Sequence, residues 1–224
     1  HASANRGSCF QNCRRTYRVI DEVNQEELVL DNQYIMSPKD LCTISFLDQL
    51  LASGISYLKI EGRGRPADYV FKTTKAYCEA IDSIENKTYT NEKVSQWLNE
   101  LESVYNKGFW HGGYYLGKSL GEWSGVYGSA SKTEKIFIGV AQNYYSHKKL
   151  AHFVIQSDEI NELDHVYITG HTTGFVETQI KNLYINGKPG TKARKDDEIT
   201  FSLTEKIRPN DKLFRVIVSD INNS

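Results

Sequence analysis

Long apolar runs are missing from this chain. No stretch of about 18 or more apolar residues occurs in its 224 residues, which excludes a transmembrane helix. The N-terminus also lacks the apolar core of a signal peptide, so a soluble, cytoplasmic protein is expected. Charge of one sign is missing as well. Lys and Arg number 27 against 28 Asp and Glu, a formal net charge of -1, and nothing in that balance demands nucleic acid or an anionic membrane. Any binding of RNA has to come from a local patch. A disulfide framework is absent too: Cys9 and Cys13 stand four apart, while Cys42 and Cys78 lie far away in helical patterns, which points to a reducing compartment. There is no internal repeat or low-complexity segment. Met is not the first residue; the chain starts His-Ala-Ser-Ala-Asn, as expected of a cut N-terminus or a fragment.

What is present can fold. With 39% hydrophobic residues the chain fills a sizeable core as one large domain or two ordinary ones. The first twenty residues carry Arg6, Arg14, Arg15 and Arg18 without an acid, ending in a strand over Tyr17-Arg18-Val19-Ile20. Ser37-Pro38-Lys39-Asp40 supplies an N-cap, a first-turn proline and an acid, so a helix is expected from Pro38 to Gly54. A strand over Ile55 to Ile60 and a helix opened by Pro66 follow. Strand, helix, strand, helix implies parallel strands with crossovers, as in an α/β barrel of the TIM type. Such a barrel takes about 250 residues when complete, so only its last βα units fit here.

A third helix is expected over 91–105, with Val94, Trp97, Leu98, Leu101 and Val104 on one face and Glu92, Glu100 and Glu102 on a solvated one. Gly108 to Gly128 reads as a linker. Beyond about Lys135 come short β segments: Ile136–Ala141, Ala151–Ile155, His165–Thr169, Phe175–Ile185, Glu198–Leu203 and Lys212–Val218. Asn186-Gly187 and Pro189-Gly190 mark turns between them. Six strands without helices predict a small closed β-barrel. The expected domains are therefore 1–132, α/β with a trailing helix and linker, and 133–224, all β.

Cys9 and Cys13, in the Arg-rich stretch from Ala4 to Tyr17, can ligate one metal or cluster, because nearby positive charge favours thiolates and a loop lets two sulfurs converge. By spacing alone the pair is equally compatible with two unrelated small residues. Zinc held by this pair and a histidine is a further option, although His111, His147, His152, His165 and His171 are scattered without ligand spacing. Cys42 and Cys78, among apolar neighbours on helices, read as buried inert thiols. Lys59 and Glu61 share a face by the strand period at the end of the second strand, where chemistry collects in parallel α/β folds. Gly62 and Gly64 allow a tight turn that frees Arg63 and Arg65 for an anionic ligand. The alternative for this group is a structural ion pair at a barrel rim. Lys188, Lys192, Arg194 and Lys195 are offset by Asp196-Asp197-Glu198, so solubility is their expected role.

Several stretches together resemble the peptidase U-32 family of collagenase-like proteins and prephenate-dependent tRNA uridine 5-hydroxylation proteins. They are Ala4-Asn5-Arg6-Gly7-Ser8-Cys9 with Cys13-Arg14, Met36-Ser37-Pro38-Lys39-Asp40-Leu41, Gly54-Ile55, Leu58-Lys59-Ile60-Glu61-Gly62-Arg63 and Tyr69-Val70. The resemblance is dense over 4–82, recurs at Lys107-Gly108-Phe109, and continues loosely into a region similar to a translation-factor-type β-barrel. It implies an α/β barrel holding an oxygen-sensitive 4Fe-4S cluster on four cysteines. Cys9 and Cys13 match the last two ligand positions, and the upstream pair has no counterpart here. Arg65-Pro66-Ala67 departs from the family's commoner Met-Lys-Ser.

Two activities follow from the resemblance. One is hydroxylation of a tRNA wobble uridine with prephenate as oxygen donor, with Lys59, Glu61 and Arg63 as catalytic candidates and Arg6, Arg14 and Arg15 binding substrate. The other is proteolysis of a peptide substrate. No paired His and Ser and no His-Glu-x-x-His occurs, so that chemistry has no legible residue set in this chain. A binding module for RNA or protein is the third expectation.

Overall fold

The computed structural model describes residues 10, 12–28, 37–110 and 129–218. Two compact units form, His1–Ser131 and Lys132–Ser224. In the first, β1 (Val19–Ile20) and β2 (Glu27–Leu28) make a two-residue antiparallel ladder. Asp21 shapes the turn between them, its Oδ1 accepting the Val23 and Asn24 N–H groups at 2.7 and 3.2 Å. Further along, β3 (Asp40–Leu41) pairs in parallel with β4 (Phe109–Trp110).

Between β3 and β4 run α1 (Leu47–Ala52), entered through a 3-10 turn at Ile44–Phe46, then α2 (Ala67–Glu85) and α3 (Asn91–Glu102). Each boundary has a local cause. Gly54, just past α1, takes a φ of 86° that L side chains avoid, and Thr90 caps α3 by accepting the Lys93 N–H at 3.4 Å. Ile44, Leu47, Ala76, Ala80, Trp97 and Leu101 pack into one apolar cluster. Each buried Ile or Leu there contributes about 1.5–3 kcal/mol. Trp97 Nε1–H donates to Glu79 Oε2 at 3.0 Å, so α3 is tied to α2 by a polar contact at the edge of that cluster.

Three expectations for this unit are corrected. The helix expected at Pro38 begins at Leu47, because Asp40 and Leu41 are taken into the parallel ladder with β4. Ile55 to Ile60 forms no strand: Tyr57 is 92% exposed and Ile55 and Leu58 about 40%. β-branched content makes a strand only where a partner and a half-buried face exist, and neither is found among the described residues. The barrel strands expected from the alternation are therefore not formed there. Finally, the linker expected from Gly108 opens with β4, while 111–128 lie outside the described residues.

The second unit is all β: β5 (Thr133–Tyr145), β6 (Leu150–Ile155), β7 (Ile160–Asn161), β8 (His165–Gly170), β9 (Gly174–Gln179), β10 (Tyr184–Ile185), β11 (Lys188–Pro189), β12 (Lys192–Ala193), β13 (Glu198–Ser202) and β14 (Lys212–Val218). Eight form one antiparallel sheet in the order β11-β10-β13-β6-β5-β14-β8-β9, and β7 pairs with β12. Alternation drives this arrangement. In β6, Ala151, Phe153 and Ile155 are buried while Leu150, His152 and Val154 are not, the two-residue period of a half-buried strand. Phe153, Phe201, Ile138, Ile168, Ile199 and Leu213, all under 1% exposed, fill a single core.

The closed barrel expected from the sequence is a sheet wrapped on that core whose edges, β9 and β11, share no ladder. Pro189 in β11 has no N–H to extend one. The single strand expected over Phe175–Ile185 is two, because the chain turns at Asn182 (φ 55°) and sends Ile180 and Leu183 into the core. Asn186 and Gly187, at φ 49° and 80°, make the β10–β11 turn that the Asn-Gly pair predicts.

Candidate functional site

A cavity of about 570 Å³ opens in the first unit between one face of α2 and the segments 40–43 and 58–65. Helical spacing builds its wall: Tyr69, Thr73, Tyr77 and Ile81 recur every four residues along α2. Lys59 and Glu61 face it from the extended stretch before α2, and Asp40 and Arg65 close one end.

That end is rigid. Arg65 donates to Asp40 Oδ1 at 2.8 Å, with both side chains largely buried, and its guanidinium lies 4.9 Å from the Tyr69 ring centroid and 4.8 Å from that of Tyr105. Asp40 Oδ2 also accepts the Lys107 N–H at 3.1 Å. One carboxylate thus joins β3, the start of α2 and the residues before β4. Arg65, expected to be free for an anion, is instead committed to this pair, since a half-buried guanidinium needs a counter-charge.

Glu61 is held differently. Its Oε1 accepts the Arg63 N–H at 2.8 Å, and its carbonyl accepts the Tyr69 hydroxyl at 3.2 Å. Oε2 accepts no hydrogen bond among the described residues, and neither Lys59 nor Glu61 forms an ion pair there. The cavity therefore presents one carboxylate oxygen and one ammonium that a ligand can use. Arg63 is exposed and does not line the cavity.

Phenols and hydroxyls supply the deeper polar groups. The Tyr77 hydroxyl accepts the Thr43 N–H at 3.0 Å and lies 3.1 Å from Thr43 Oγ1, and burial pushes its pKa up to about 12. Burial also raises Tyr69, partly offset by the Arg65 charge. Both phenols are protonated donors at neutral pH. Thr73 is buried and lines the cavity beside Tyr69. Cys78, expected to be an inert core thiol, is exposed and lines the cavity, whereas Cys42 is 3% exposed and burial raises its thiol.

The Arg-rich loop is only partly described. Cys13 sits half-buried in a 3-10 turn over Asn12–Arg14, closed by the Tyr17 hydroxyl donating to Asn12 O at 2.6 Å. Arg15 folds back to donate to Phe10 O at 3.3 Å. Cys9 and Arg6, together with the Arg14 side chain, lie outside the described residues. No group of three or more His, Cys, Asp or Glu with metal-holding geometry exists among the described residues.

Asp40, Tyr69, Thr73 and Tyr105 are not among the site residues that the sequence suggests. Asp40 is expected only to stabilise a helix start, and the helix expected from Pro66 gives no sign by itself of which residues face a cavity. The four-residue spacing of Tyr69, Thr73 and Tyr77, with a hydroxyl at each step, is the signal that marks a polar-capable wall.

Comparison with known proteins bears on this site. The model of peptidase family U32 matches residues 1–125. The "Collagenase" of Porphyromonas gingivalis strain W83 is 43% identical over 215 residues, covering 96% of this chain and 52% of that protein. The "tRNA hydroxylation protein P1" of Bacillus subtilis is 32% identical over 152 residues, covering 63% of this chain and 34% of the other. The chain thus spans about half the length, or less, of these curated relatives. Among solved structures, the C-terminal domain of a U32 peptidase from Geobacillus thermoleovorans aligns with 35% of this chain at 16% identity and a TM-score of 0.33. With its first 125 residues covered by that family model and its relatives named as above, the chain belongs to peptidase family U32.

Proposed function

We propose that the first-unit cavity receives a pyrimidine base of RNA, and that the whole enzyme of which this chain is part hydroxylates it. The composition of the cavity carries this reading. Aromatic walls at Tyr69 and Tyr77, an ammonium at Lys59 and an acceptor at Glu61 are what a splayed-out base needs: a surface to stack on and partners for its donor and acceptor edge. A relative of this chain is named as a tRNA hydroxylation protein, which supports the substrate class.

Glu61 is the group placed to accept the N3–H of uracil, and Lys59 the group to donate to a ring carbonyl. Replacing a ring C–H by C–OH is a two-electron oxidation that requires an oxygen donor, for which prephenate, a dicarboxylate, is proposed. Lys59 and the exposed Arg63 supply positive charge for it. A 4Fe-4S cluster using Cys9 and Cys13 belongs to the same proposal for the longer protein; no step here passes through it.

The test is nucleoside mass spectrometry of RNA from cells that lack the gene and carry it back on a plasmid. Glu61→Gln is expected to lower the hydroxylated pyrimidine at least 10-fold at equal protein level. Wild-type levels in that variant would overturn the reading.

Proteolysis is the second reading, favoured by the name of the relative that aligns with 96% of this chain. Among the described residues that line the cavity, none is a histidine that could act as a base for the Cys78 thiol. Gelatin cleavage by the full-length protein that is abolished by Cys78→Ala would favour it.

A further inference from the structure

We propose that the outer face of β5, β6, β13 and β10 in the second unit is a docking surface for single-stranded RNA, formed by an aromatic row beside a basic rim. The register fixes the row. His152 pairs across to Asn143 on one side and Thr200 on the other, and Thr200 pairs with Tyr184, so these side chains share the outer face. Tyr145 stacks on His152 with ring centroids 6.2 Å apart and planes 20° from parallel. Tyr145 is 43% exposed and Tyr184 39%, separated by strands about 4.8 Å apart. Two part-exposed tyrosines, one of them stacked on His152, therefore stand on one face of the sheet.

The rim lies one step along the strands. Tyr145 pairs with Leu150, Leu150 with Ser202, and the Ser202 N–H donates to Lys181 O at 3.0 Å. The β5–β6 turn on this rim reads Ser146-His147-Lys148-Lys149, with no acid. Lys148, Lys149 and Lys181 form no ion pair among the described residues. Glu198 stands one step along β13 from Thr200 in the other direction, its Oε2 3.4 Å from His152 Nε2, and Glu162 lines the hollow beside Tyr184. Unpaired lysines along one edge of the exposed rings fit a chain that offers phosphates along one edge and unstacked bases along the other.

The surface is argued from the second unit alone and its test reads affinity, so its failure leaves the cavity reading to its own nucleoside measurement. The whole chain is titrated against a fluorescein-labelled oligouridine about 12 nucleotides long by fluorescence anisotropy. Tyr145→Ala and Tyr184→Ala are each expected to weaken binding about 5- to 100-fold, with Tyr→Phe at either position close to wild type. Changing Lys148, Lys149 and Lys181 to Gln is expected to reduce the slope of log K against log salt by about 2. Duplex RNA of the same length is expected to bind more weakly. Equal affinity of the Ala variants and wild type, with unchanged thermal melting, would overturn the proposal. So would absence of binding at low salt, or tighter binding of an acidic peptide than of the RNA.

Discussion

A single proton on Tyr77 measures how tightly the cavity wall is built. Its phenol is neutral and hydrogen-bonded to Thr43, and its pKa of about 12 lies above the ordinary 10 of an unfolded chain. Below pH 10 both folded and unfolded forms hold the proton, so this contribution is fully present. Between about pH 10 and 12 the unfolded chain loses the proton while the folded one keeps it, and stability falls by about 2–3 kcal/mol. Urea denaturation across that range is expected to show a shallower alkaline decline in Tyr77→Phe than in wild type. Identical declines would mean that the phenol is not buried in this way. Arg65 teaches a related lesson. Gly62 and Gly64 suggested that Arg63 and Arg65 are both free to meet an anion, but a carboxylate 25 residues earlier and two tyrosine rings claim Arg65. Sequence spacing carries no information on that long-range partner.

Elements were legible where their causes are local. The helices over 67–85 and 91–102, the latter expected to run to 105, follow from Pro66 and from apolar residues at three- and four-residue spacing, and β6 and β13 from alternation. Ile55–Ile60 was not, because β-branched residues specify a preference while pairing depends on a partner elsewhere. The ladders of the second unit also contain a constraint that periodicity does not reveal. At Gly139 in β5, a Cβ would stand 2.0 Å from the Val154 carbonyl oxygen of β6. Gly139→Ala is therefore expected to force those strands apart and destabilise the unit by about 2–4 kcal/mol, read as a lower denaturant midpoint. A midpoint within error of wild type would show that β5 and β6 tolerate more separation than their ladder suggests.

At the scale of the whole molecule, two units with different architectures are joined in one chain, and no described helix is long and apolar enough to cross a membrane. The family was legible from clustered residues such as Leu58-Lys59-Ile60-Glu61-Gly62-Arg63, while the cavity was legible only in part. Lys59 and Glu61 were named from their place in the sequence, but the tyrosine wall, the Asp40–Arg65 clamp and the exposure of Cys78 depend on packing. The central claim is that this cavity takes a pyrimidine base. Photo-crosslinking the full-length protein to RNA carrying 4-thiouridine at the modified position, followed by mass spectrometry of the adducts, tests it most directly. Adducts on Tyr69, Tyr77 or Cys78, lost when Glu61 is changed to Gln, are the predicted result; adducts confined to residues outside the cavity would contradict it.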